Sequence, residues 1–283
     1  MKAKIRQLLG CYPISVFRAI KAGNGTSRTL EDVALDKANG HVKSICHRGH
    51  TLTAPENTLE AFIEAKLHGY EYVEADVTFT SDGTPVIIHD ATIDRTSDGS
   101  GAVADMTYDE LRQYDFGEWY SDKYIGTTIP SFDEFIALCK NIGLKPYIDL
   151  RGTMTVVDVK ELVTTVKRHG MQKHATWISF NIDYLSAVKD ADNKARLGRL
   201  TDNENGIIEA VTLLTGSNEV FVDADYTKVT DAWIDKCIAN NVELELYTVN
   251  SKRAIQQLNS YVTGVTSDTY KAGRVLYEAN IRR

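Results

Sequence analysis

From His41 onward the chain repeats one pattern: a short run rich in β-branched and aromatic residues, then a longer run with apolar residues at helical spacing. This alternation confines the fold to a parallel sheet covered by helices. Each parallel crossover needs about a dozen residues or more, and a helix fills that length. Strand candidates are 42–47, 72–80, 84–90, 145–150, 176–180, 195–200, 219–223, 242–249 and 261–267. Helical candidates are 58–69, 131–142, 156–169, 182–190, 204–214, 230–240, 251–259 and 269–280, with start signals such as Ser131 and Thr230.

Nine strands exceed a barrel of eight, and the turn Ser81-Asp82-Gly83-Thr84 resolves the excess. Asp-Gly between two β-rich runs is a strong hairpin signal, so 84–90 is expected to fold back antiparallel on 72–80. The other eight strands then predict an α/β fold, a closed (β/α)8 barrel of the TIM type. The length of 283 residues, 43% hydrophobic and 25% charged, suits one large core and lies near the roughly 250 residues typical of such a barrel.

Residues 1–40 read as an appended N-terminal extension of unassigned role: Lys21–Ser27 is turn-rich, and a short polar helix candidate spans 30–38. Leu8-Leu9-Gly10-Cys11 behind a basic start resembles a lipoprotein cleavage box. Its apolar stretch is far shorter than the roughly 7–15 residues an export signal needs. Cys11, Cys46, Cys139 and Cys237 form no CxxC pair. No run reaches the 18 or more apolar residues of a membrane span. The net charge of −7 argues against a nucleic-acid partner, whose phosphates call for a basic stripe. The cytoplasm is therefore the default compartment, with an extracellular or virion setting as the alternative.

The chemistry concentrates on a few positions. In 72–80, Glu74 and Asp76 alternate with Val73, Ala75 and Val77, so period two places both carboxylates on one face. Two adjacent acids inside a barrel repel and lose solvation, and a divalent cation such as Mg²⁺ or Ca²⁺ removes both problems. A hairpin turning on Asp82-Gly83 pairs 81 with 84 and so sets His89 opposite Asp76. His47 ends the first strand, at the rim where parallel barrels carry their active sites, with Arg48 and Gly49 next. Asp149 and Arg151 end a later strand at the same rim. Metal and arginine holding an anion, with two imidazoles moving protons, form the inventory for cleaving a phosphodiester.

His47-Arg48-Gly49, Pro55-Glu56-Asn57-Thr58, Ala61-Phe62, Glu74-Ala75-Asp76-Val77, Asp82-Gly83, His89-Asp90 and Arg95-Thr96 resemble the glycerophosphodiester phosphodiesterases in order and spacing over 47–101. Weaker likeness follows at Ile129-Pro130, Ser179-Phe180, Thr248-Val249-Asn250 and Ser267-Asp268. The resemblance implies a catalytic TIM barrel over 41–283, with 91–130 an insertion beside the site. It also implies hydrolysis of a small glycerophosphodiester to glycerol 3-phosphate and an alcohol, dependent on one Ca²⁺ or Mg²⁺ ion.

By the same resemblance His47 and His89 are the catalytic acid and base, and Glu74 and Asp76 bind the metal. Arg48 contacts phosphate, and the family's Glu-x-Lys falls on Asp149-Leu150-Arg151, assigning Asp149 to the metal and Arg151 to the phosphate. Tyr247 stands where tryptophan is common. Alternatives are polymeric glycerol phosphate as substrate, a sphingomyelinase D-like transfer to an internal hydroxyl, and a non-catalytic binding module. Trp119, Tyr120 and Tyr124 either wall the alcohol pocket or pack the insertion onto the barrel.

Overall fold

The computed structural model describes residues 42–213 and 219–281; the extension 1–40 and its Cys11 box lie outside the described residues. The strands are β1 (Lys43–Cys46), β2 (Tyr72–Phe79), β3 (Pro85–Ile87), β4 (Lys145–Leu150), β5 (Thr176–Ser179), β6 (Arg196–Thr201), β7 (Glu219–Asp225), β8 (Glu243–Tyr247) and β9 (Val262–Ser267). The helices are α1 (Leu59–Leu67), α2 (Tyr108–Leu111), α3 (Phe132–Ile142), α4 (Val156–Arg168), α5 (Ile182–Ala191), α6 (Asn205–Leu213), α7 (Asp231–Asn240), α8 (Lys252–Gln256) and α9 (Ala272–Ile281).

The sheet order β1-β9-β8-β7-β6-β5-β4-β2 closes through a parallel β1–β2 pairing, so eight parallel strands form the expected barrel. Helix boundaries follow local chemistry. In α3, Ser131 and Glu134 form a reciprocal capping box, and Gly143 ends the helix at φ +70°. Thr230 caps α7 by position, without a side-chain hydrogen bond.

The extra strand is the hairpin, but its register differs from expectation. Val77 pairs with Ile87, Thr78 with Val86 and Phe79 with Pro85. Ile88, not His89, therefore lies opposite Asp76 and donates its N–H to the Asp76 carbonyl at 3.0 Å. The physical reason is a three-residue loop. Thr80 N–H donates to the Thr84 carbonyl, and Gly83 takes φ +76°. The Thr80 hydroxyl fixes this turn by accepting from Thr84 N–H at 2.9 Å. β3 ends at Ile87, and His89 sits on the connection beyond it.

β2 alternates as expected: Val73, Ala75 and Val77 join the large core between barrel and helices. Inside the barrel a smaller cluster of Ile45, Tyr147, Ile178, Leu200 and Phe221 fills the middle. Below it Glu245 is fully enclosed. It accepts from Lys43 Nζ at 2.8 Å, Arg196 Nη2 at 3.1 Å and the Tyr147 hydroxyl at 3.3 Å. The insertion 91–130 contains α2 and packs its own core of Ile93, Val103, Leu111, Phe116 and Ile129 against Val86 and Ile88. Tyr120 and Tyr124 donate to the carbonyls of Thr51 and Thr53, so these aromatics pin the insertion to the β1–α1 connection.

The interior filling depends on Gly198, where an added Cβ would lie 2.3 Å from the Phe221 ring. Gly198→Ala is expected to lower stability in urea denaturation by about 1–3 kcal/mol, the usual range for overpacking. Combining it with Phe221→Leu should restore part of that loss, because the shorter side chain vacates the contact.

Candidate active site

The site grows from the C-terminal ends of adjacent strands. Parallel pairing of β2 with β4 sets Asp76 directly beside Asp149, and Glu74 lies one inward position deeper on β2. All three carboxylates are buried, and one oxygen from each lies within 4.8 Å of the others. Burial first, then repulsion from Asp76 and Asp149, holds the Glu74 pKa well above the usual carboxylate range. Burial and Asp76 likewise push Asp149 up to about 7, against the opposing pull of Arg151. Three buried oxygen donors this close together, two of them held towards the neutral form, fit a hard divalent cation, whose charge favours carboxylates around it. Asp149 keeps its oxygen within the group despite being one methylene shorter than glutamate.

β1 delivers His47 and Arg48. Arg48 adopts φ +54°, a conformation unfavourable for a long side chain, and Gly49 follows at φ +83°. Any Cβ at Gly49 would lie 2.6 Å from the Ala61 Cβ, so the turn is clamped against α1. The turn aims Arg48 N–H at Glu74 Oε2, 2.9 Å away, and its guanidinium at Asp76. Asn57, also at positive φ, donates Nδ2–H to Asp76 Oδ2 at 2.8 Å. Arg151 approaches from β4, donating to Asp149 Oδ2 at 3.0 Å with its Nε 3.5 Å from Asp76 Oδ1.

Both histidines are held the same way. His47 Nδ1 lies 2.6 Å from Asp268 Oδ1, and His89 Nδ1 lies 2.6 Å from Asp90 Oδ1. An ionised carboxylate only accepts, so each ring places a proton on Nδ1 and leaves Nε2 outside that bond. Asp90 is held far down by hydrogen bonds from Arg95 and then from His89. Asp268 stays ionised because its bonds and charge interactions with His47 and Asn250 outweigh burial. For His89, burial outweighs the attraction of Asp76 and Asp90, and its pKa falls below 6.5.

Arg95 also grips Glu56 with two donors at 2.7 and 2.9 Å, and Arg48 Nη1 donates to Glu56 at 3.0 Å. The chain Arg48–Glu56–Arg95–Asp90–His89 thus ties Arg48 to a histidine through the insertion.

All seven residues singled out in the sequence line one cavity of about 250 Å³: His47, Arg48, Glu74, Asp76, His89, Asp149 and Arg151. The rest of the lining comes from Ile178 beside Asp149, Thr266 beside β1, and Phe180, Leu200, Asp223, Tyr247 and Thr248. Sequence reasoning gave no role to Asp90, Asp268, Glu56, Asn57 or Asp223. A carboxylate directly after His89, and one directly beyond the last strand, were the available signals for the first two.

Two histidines, two arginines and three buried acids gather at the C-terminal mouth of the barrel, an arrangement suited to an anionic substrate, and similarity to known proteins gives the class as phosphoric diester hydrolases. Residues 47–272 match the Glycerophosphoryl diester phosphodiesterase family. A glycerophosphodiester phosphodiesterase of Caldanaerobacter subterraneus subsp. tengcongensis is 29% identical over 227 residues, covering 79% of this chain and 93% of the relative. Human glycerophosphodiester phosphodiesterase 1 is 38% identical over 118 residues, 41% of this chain and 36% of that enzyme. An Oleispira antarctica phosphodiesterase, solved in complex with the product sn-glycerol-3-phosphate, superposes with a TM-score of 0.74 at 25% identity, covering 85% of this chain and 97% of that one. The chain belongs to the glycerophosphoryl diester phosphodiesterase family.

The hydrogen-bonded carboxylate partly offsets the effect of burial on His89. Asp90→Asn is expected to move the His89 pKa further down, because the neutral amide stabilises imidazolium less than a carboxylate does. Nitrogen-detected NMR titration of the imidazole checks this; an unchanged or higher pKa would refute the pairing.

Proposed function

We propose that the chain hydrolyses glycerophosphodiesters to glycerol 3-phosphate and an alcohol, using His47 and His89 as its proton-transfer pair. The observation that carries this reading is the matched histidine geometry: two carboxylate-held imidazoles in one cavity with three buried acids and two arginines. Glu74, Asp76 and Asp149 would hold one divalent ion, Mg²⁺ or Ca²⁺, which when bound supplies positive charge beside a phosphate oxygen.

Arg48 and Arg151 bring two guanidinium groups to the same side of the cavity. Their fork geometry suits the non-bridging phosphate oxygens, and fixed donors there stabilise the charge that develops as the diester is attacked. His89, kept neutral by burial, serves as the base: its Nε2 takes the proton of the attacking water or neighbouring glycerol hydroxyl. His47 gives its Nε2 proton to the departing alkoxide as that P–O bond breaks. Attack by the glycerol hydroxyl would give a cyclic phosphate, which water opens to the same glycerol phosphate. Asp268 and Asp90 orient the two rings throughout.

Glycerophosphocholine and polyglycerol phosphate, each assayed with added Mg²⁺ or Ca²⁺ and with a chelator, test the substrate and ion assignments. Hydrolysis of the small diester that chelation abolishes is the expected result. His47→Ala and His89→Ala should each lower kcat/KM by at least about 100-fold, the lower end for general acid–base catalysis. Variants within tenfold of the parent would remove the histidine assignment. A cyclic phosphate that accumulates as the end product would replace hydrolysis with internal transfer.

A further inference from the structure

The wall facing the reacting groups holds one charged side chain that this chemistry does not use. Around the closed barrel β7 lies four strands from β2 in either direction, so Asp223 faces Glu74 and Asp76 across the mouth. Asp223 lines the cavity, is 1% exposed, and its Oδ1 is buried with no hydrogen-bond partner. In register it stands between Leu200 on β6 and Glu245 on β8, an apolar group on one side and a second acid on the other. The nearby cation Arg196 is committed to Glu243 and Glu245. Burial first, then repulsion from Glu245 and Asp149, holds its pKa well above the usual range. A buried polar group without a partner weakens the empty fold. Its retention on a cavity wall points to a partner that arrives with the ligand.

We propose that Asp223 is the specificity residue for a hydroxyl of the substrate's polyol arm. This rests on the phosphodiesterase reading for the polyol's identity. With the phosphate held over β2 and β4, a three-carbon arm extends across the mouth towards β7. A hydroxyl both donates and accepts, and so pairs with a carboxyl in either protonation state. On the same wall the exposed Phe180 ring meets Tyr247 edge-on at the rim, whereas Asp223 lies enclosed below, which leaves the enclosed level to the glycerol and the rim to the variable alcohol. A site built to bond a hydroxyl rejects an analogue lacking it, because its own polar group is then left unpaired.

Binding of sn-glycerol 3-phosphate and n-propyl phosphate, which differ only in the two hydroxyls, tests this by calorimetry in the presence of Mg²⁺ or Ca²⁺. The parent is expected to bind glycerol 3-phosphate at least tenfold more tightly. Asp223→Leu, which branches at the same atom and has no oxygens, should erase that difference while leaving propyl phosphate within twofold of the parent. Its thermal midpoint should match or exceed the parent's, which a structural role for the carboxyl would not allow. Asp223→Asn, which keeps hydrogen-bonding atoms, should retain part of the discrimination. Three results would overturn the assignment: a parent that binds neither compound or both equally, a variant that weakens both alike, and an Asp223-dependent affinity for choline phosphate instead. None of these readouts needs turnover, so a protein that discriminates yet hydrolyses no diester would contradict the phosphodiesterase reading and leave Asp223 in place.

Discussion

The enforced proximity of three buried acids is the constraint on which the rest of the site depends. The β2–β4 register sets Asp76 beside Asp149, with Glu74 on the same inner face. The barrel's hydrogen bonding fixes these positions, so the acids cannot separate to relieve their repulsion. Every feature around them answers that charge. Arg48 and Arg151 approach Asp76 from two sides, Asn57 donates to it, and the Arg48 amide donates to Glu74. Buried charges are tolerated only when paired or coordinated, and here both remedies converge.

Those remedies are held in place by backbone that is unfavourable in isolation. Arg48 and Asn57 both sit at positive φ, and the Asn57 N–H donates to the Arg48 carbonyl at 2.9 Å, so the two strained residues fix one another. The insertion then contributes through Arg95, which joins Glu56 to Asp90 and so couples the orientation of Arg48 to that of His89. Orienting groups of this kind set the tautomer and direction of a catalytic imidazole. The insertion is therefore part of the site's framework, although its own aromatics pack against a neighbouring loop rather than lining the cavity.

Much of this was legible in the sequence, because it follows from period and position. Strand–helix alternation dictated the barrel, period two put Glu74 and Asp76 inward, and strand ends put His47, Asp149 and Arg151 at one rim. The register of His89 was not legible, since a two-residue turn and a three-residue turn differ only in what the Thr80 hydroxyl and Gly83 do in space. The orienting acids were equally hidden: Asp268 meets His47 across more than two hundred residues of chain, a contact that only barrel closure creates. Nor does local pattern reveal Glu245 or Asp223, because an alternating strand reads the same whether its polar face meets water or a packed interior. Their burial is a property of closure rather than of any segment.

Calorimetric titration of Mg²⁺ or Ca²⁺ into the protein at mildly acidic pH, repeated in buffers of different ionisation enthalpy, tests most directly whether the three acids form one cation site. Burial and mutual repulsion raise the proton affinity of Glu74 and Asp149, so binding of one ion per chain should release protons, and Asp149→Asn should weaken binding strongly. Absence of binding, or binding unaffected by Asp149→Asn and without proton release, would contradict the site as described.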